Sequence, residues 1–145
     1  MNLLDLKKQL KNLNSCIISV LHDSGFEKDS QLILDDFDNL NADELQLYYE
    51  YENIFDKLDI ISERLLYLSK SITHKGKLYR TSDDRFAVDG CELCCGYHIE
   101  VLEYDDYYEC YRWVIGRIEY SDSKGGYYLY GHDIPLTEGM TVRLR

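Results

Sequence analysis

Proline is nearly absent: Pro135 is the only one in 145 residues. The chain therefore has no proline-rich linker, and long helices or strands can run without a forced break. Bases are scarce relative to acids. Sixteen Lys and Arg face 27 Asp and Glu, a formal net charge of −11. That balance argues against binding bare nucleic acid through a basic face, because phosphate contacts need local Lys and Arg. No run of about 18 apolar residues occurs, which excludes a membrane-spanning helix. The opening MNLLDLKKQLKNL places polar residues every few positions and lacks the apolar core of a signal peptide, so a cytoplasmic location is expected. Five cysteines are an odd number, which argues against a disulfide framework. Glycine is missing from the first 75 residues apart from Gly25. What is present is an ordinary globular balance, 45% apolar and 30% charged, with 14 tyrosines.

The glycine distribution divides the chain near His74-Lys75-Gly76, giving regions 1–74 and 75–145. The first carries a net charge of −7 and the second −4. In the first, Leu3, Leu6, Leu10, Leu13, Ile17 and Val20 recur at alternating three- and four-residue steps, an apolar seam on one helix. Ser24-Gly25 is a stop signal. Gln31 to Leu40 reads as a short third helix capped by Ser30. Asn41-x-x-Glu44 has the form of a capping box. Leu47, Tyr51, Ile54, Leu58, Ile61, Leu65, Leu68 and Ile72 then repeat over about 30 residues, a helix of roughly 45 Å. Two such seams on one chain predict an antiparallel helical hairpin, with homodimerisation through the seam as the alternative.

Asp35, Asp36, Asp38, Asp43, Glu44, Glu50, Glu52, Asp56 and Asp59 fall within 25 positions, offset only by Lys57. Most acidic faces are simply solvated. The functional alternative is a rigid row of carboxylates that imitates a phosphate backbone and is steered into a basic channel on another protein.

From Lys77 the period becomes that of strands. Lys77–Thr81, Arg85–Val88, Tyr97–Tyr104, Tyr111–Tyr120, Tyr127–Tyr130 and Met140–Arg145 are strand candidates. Asp89-Gly90 is a hairpin signal, and Gly116 suggests a bulge or bend. The expected fold is α+β: a helical hairpin, then a small antiparallel SH3-like barrel of five or six strands.

The blocks GKLYRTSDDRFAVDG, ELCCGYHIEVLE, WVIGRIEYS, YYLYG and LTEGMTVRLR stand in order over about residues 75–145. This half resembles the family numbered 5348 among domains of unknown function, found in Gram-positive bacteria and their plasmids, phages and conjugative elements. The matching residues are Gly76, Leu78, Arg85, Cys95, Gly96, Glu100, Val101, Trp113, Arg117, Ile118, Glu119, Tyr128, Leu129, Leu136, Gly139, Val142 and Arg145. The resemblance implies a compact β domain and a mobile-element setting, and no catalytic residue. Cys91, Cys94 and the crowded tyrosines depart from the family pattern.

Cys91, Cys94, Cys95 and Cys110 are weak zinc candidates, because tetrahedral zinc wants two matched ligand pairs and only one is evident. Cys95 and His98 lack a third member to orient a base. Arg117 and Glu119 share one side of a strand and are expected to pair across the sheet. No cofactor and no enzymatic activity are expected. Tyrosine supplies amphipathic contact area at low entropy cost. The segment Tyr104-Asp105-Asp106-Tyr107-Tyr108-Glu109 sets it among acids, which suits a protein partner rather than stacked bases. The resulting expectation is a non-enzymatic acidic inhibitor from a mobile element, an anti-CRISPR occupying the nucleic-acid-binding surface of a Cas9-type effector. Its partner-binding residues would be Asp35, Asp36, Asp38, Glu50, Glu52 and the 104–109 segment, with no direct nucleic acid and no membrane as partner. The alternatives are an accessory adaptor of a plasmid or phage acting through helix-mediated oligomerisation, and a small zinc or nucleic-acid module.

Overall fold

The computed structural model describes residues 1–26 and 32–145. The chain forms two compact units, Met1–Lys70 and Ser71–Arg145. Among the described residues no helix is long and apolar enough to cross a membrane.

The first unit holds α1 (Leu3–Asp23) and α2 (Ala42–Ser69). Both begin with reciprocal capping boxes. Asn2 pairs with Asp5, and Asn41 pairs with Glu44. Each box satisfies amides that the helix start leaves open, and Asp43 and Glu44 also complement the positive end of the α2 dipole. Gly25, at φ 67°, follows the α1 cap Ser24.

The helices pack on one another, with Phe26 stacked on Phe55 at 5.6 Å. Their contact corrects the expected seam. α1 buries Asn14, Ile17 and Leu21, while Leu13 and Val20 stay about half exposed. On α2 the buried residues are Tyr48 and Ser62. Leu47, Tyr51, Ile54 and Ile61 lie between 45% and 52% exposed. At 100° per residue, Tyr48, Phe55 and Ser62 lie roughly a quarter turn from that apolar stripe. The two helices thus meet on the edges of their seams, a position that one helix's period cannot reveal.

The expected third helix reduces to a single 3-10 turn, Phe37–Asn39. Its neighbours serve α2 instead. The Tyr48 hydroxyl has two acceptors for its one proton, the Leu32 carbonyl at 2.9 Å and Glu52 at 3.1 Å, and Phe37 meets the Tyr48 ring edge-on. The Ser30 cap lies outside the described residues.

The second unit has nine short strands rather than five or six. They are β1 (His74–Lys77), β2 (Tyr79–Arg80), β3 (Phe86–Val88), β4 (Cys91–Glu92), β5 (His98–Asp105), β6 (Cys110–Ser121), β7 (Gly126–Tyr130), β8 (Ile134–Pro135) and β9 (Thr141–Leu144). All pairings are antiparallel. One sheet has the order β1-β9-β5-β6-β7-β8, the other β2-β3-β4. The first expected strand is divided at Leu78, where the chain leaves one sheet for the other. Leu78 is buried, and its N–H donates to the Met140 carbonyl. Asp89 and Gly90 both have positive φ and close the β3–β4 hairpin, as their pairing in sequence predicts.

Strand alternation sends Ile99, Val101, Val114, Ile118, Leu129 and Val142 into one core with Leu78, Phe86, Val88 and Leu93. Gly116 makes no bulge. It pairs in register with Ile99, and a Cβ there would sit 2.4 Å from the Leu129 side chain. Its smallness lets β7 lie close, which is why glycine stands in the longest strand.

Candidate functional site

The β5–β6 hairpin ends in a four-residue loop, Asp106–Glu109, closed by the Asp105–Cys110 pair. Asp105 builds this loop. Its carboxylate accepts from the Tyr107 N–H at 3.0 Å, the Tyr108 N–H at 3.2 Å and the Arg112 guanidinium. An aspartate that bonds its own backbone two residues on is a turn former. The Tyr108 amide, Arg112 and the Tyr107 amide together hold its pKa below the ordinary carboxylate range. Its side chain is only 13% exposed, and both of its oxygens are engaged within the hairpin.

Held this way, the loop turns tyrosine outward. Tyr107 is 86% exposed, and Tyr108 beside it packs edge-to-face at 4.8 Å. Behind them Tyr104 and Tyr111, partners across the strands, form a second edge-to-face pair at 5.2 Å, also exposed. Asp106 and Glu109 are exposed on the loop. The tip is therefore four phenol rings in two ordered pairs, with two outward carboxylates. Such a surface can bury aromatic area against a partner at little entropy cost, because the backbone is already held.

The other expected contact residues belong to the first unit and form no single row. Asp35, Asp36 and Asp38 are exposed, on and beside the 3-10 turn, not on a helix. Glu50 is exposed on α2, whereas Glu52 is half-buried and accepts from Tyr48. Burial first, and then Glu52, push the Tyr48 phenol above its ordinary pKa. At 100° per residue, Asp43 and Glu50 share one side of α2, and Glu52, Asp56 and Asp59 lie roughly opposite.

Among the described residues, no three His, Cys, Asp or Glu side chains gather closely enough to hold a metal ion. All five cysteines are free thiols. Cys91, Cys94, Cys95 and Cys110 thus do not assemble into a ligand set, and the Cys94 sulfur instead lies 3.9 Å from the Arg85 guanidinium. Arg117 pairs with Glu119 along its own strand at 2.6 Å and sits over the Tyr130 ring on β7.

One cluster has no linear signal. Glu100 is 1% exposed in the middle of the larger sheet. Its two oxygens are taken separately by Arg143 and Arg145. Arg143 also lies 4.1 Å from the Trp113 ring centre, with Lys75 5.5 Å away. Both carboxylate oxygens are engaged, so the cluster ties β9 and the residue after it to β5. The partners are 43 and 45 residues apart, and only antiparallel pairing of β5 with β9 brings them together.

Residues 75–144 match the family described as Domain of unknown function (DUF5348). The match runs from β1 to β9 and leaves α1 and α2 outside it. No curated protein and no solved structure matches the chain. The fold accounts for most of the residues that carry the DUF5348 pattern. Leu78, Val101, Ile118, Leu129, Leu136 and Val142 are core, Gly96 and Gly139 have positive φ, and Glu100 and Arg145 pair. The tyrosines of the hairpin tip lie outside that pattern.

Proposed function

We propose that the chain is a non-enzymatic protein-binding inhibitor whose contact is the β5–β6 tip. The surface it occupies is a basic, nucleic-acid-binding groove on another protein. In its sharpest form the proposal makes the chain an anti-CRISPR of a Cas9-type nuclease, in the mobile-element setting that the family resemblance implies. One observation carries it: a preorganised loop presents two exposed tyrosine pairs beside Asp106 and Glu109, while Asp105 is committed to the turn. Exposed aromatic anchors are typical binding hot spots, and acids around them favour a basic partner. In the same reading the two sheets, sharing one core, are the walls of a partly open SH3-like barrel, and the helices are an antiparallel hairpin.

The test is target cleavage by a panel of Cas9-type effectors, with the protein added before or after guide and target DNA. Inhibition only when it precedes DNA is expected. Tyr107→Ala with Tyr108→Ala should raise the inhibitory concentration roughly 30-fold, as loss of a hot spot does. Asp106→Lys with Glu109→Lys should act in the same direction and make the residue of inhibition insensitive to salt. If lysines at Asp35, Asp36 and Asp38 abolish inhibition and the tip variants do not, the contact is misplaced. No inhibition across the panel overturns the nuclease form.

A further inference from the structure

We infer that two copies of this chain associate through their helices, the first half of α1 in one copy lying along the α2 stripe of the other, and reciprocally. This does not rest on the inhibitor reading. Every residue from Met1 to Gln9 is exposed, and Leu3, at 82%, begins an apolar run that continues through Leu6. On α2 the stripe of Leu47, Tyr51, Ile54 and Ile61 is about half exposed. Each helix thus carries an apolar surface wider than the described residues of its own chain cover. Stripes of that width belong to bundles in which a helix touches two neighbours.

Charge selects a second copy as the missing neighbour. Between Leu3 and Leu13, α1 has three lysines against one aspartate. Between Ala42 and Asp56, α2 has five carboxylates and no base. None of the ion pairs among the described residues uses Lys7, Lys8 or Lys11. Lys7 flanks the Leu3–Leu10 edge of α1, and Glu50 flanks Leu47 and Ile54 on α2. A basic apolar half-helix and an acidic apolar helix on the same molecule are self-complementary. A two-fold axis satisfies both at once, whereas head-to-tail stacking would leave one of each open.

Sedimentation equilibrium of the full chain over a concentration series at low salt tests this. A reversible dimer that weakens with salt is expected. Ile54→Asp should abolish it while helical ellipticity stays unchanged, since Ile54 is half exposed in the single chain. Lys7→Glu and Glu50→Lys should each weaken the dimer about tenfold, every change counting twice across the axis. The two together should restore it, which a folding defect would not do. A monomer at every concentration, or a dimer indifferent to Ile54→Asp and to both charge reversals, overturns the inference.

Discussion

Among the described residues, the β unit closes its own core and the helical unit does not. Twelve buried residues of the β unit form one apolar cluster. Among the described residues of the helical unit the buried apolar ones are Ile17, Leu21 and Tyr48, and leucines and isoleucines stand exposed along both helices. The difference is geometric. Two sheets that share an inner space can use every inward position of every strand, because alternation sends half the side chains there. Two helices in contact bury one stripe each, and any further apolar stripe waits for another surface. A regular heptad pattern therefore states that a helix has partners, without stating how many the chain itself supplies.

The largest way to break this contrast is Glu100→Ala. Removing the carboxylate takes away the partner that Arg143 and Arg145 share in a buried ion cluster, and should cost the β unit about 3–5 kcal/mol. Trp113 is the chain's one tryptophan and lies under Arg143, so its fluorescence reports the β unit in a urea titration. Ellipticity at the helical minimum reports α1 and α2. The tryptophan midpoint should fall far more than the helical one; equal shifts would show that the units unfold together.

A smaller effect of opposite sign is expected in the helices. Asn14 is buried in α1, and its Oδ1 has no hydrogen-bond partner among the described residues. A buried unsatisfied polar atom costs about 1–3 kcal/mol. Asn14→Leu should return part of that, raising the helical midpoint by a few degrees and leaving the tryptophan transition in place. A loss of stability would show that the carbonyl is satisfied in solution.

The smallest expected effect is local to the tip. Folding lowers the pKa of Asp105, so its contribution is complete above the ordinary carboxylate pKa of about 4 and is lost as pH falls through the depressed folded value. The Tyr107 and Tyr108 amide resonances should hold their positions at neutral pH and move only in strong acid. Asp105→Asn should move them at pH 7, while the core resonances of Val101 and Val142 stay fixed. A tip that loosens near pH 6 would contradict this assignment.

Much of the architecture was legible because it is local. The Asn41-x-x-Glu44 box needs only four residues to close, and Asp89-Gly90 turns through its own φ angles. The long strand of β6 and the change from helical to strand period were equally clear. What escaped depends on residues far apart. β4 and β8 are two residues each and exist because longer strands pair with them. Gly116 suggested a bend, but its reason is Leu129 across the sheet. Asp105 counted as one more acid until the loop bent its carboxylate back onto two amides.

By itself the sequence determined two helices followed by antiparallel strands, the acidic charge and the family resemblance of residues 75–144, all properties of composition, period or ordered motifs. Only the tertiary structure decided which edge of each helical seam is covered, that Glu100 is held by Arg143 and Arg145, and that the outward carboxylates of the tip are Asp106 and Glu109. Period and turn chemistry act over a few residues. Register, burial and ion pairing are set when segments tens of residues apart are brought side by side.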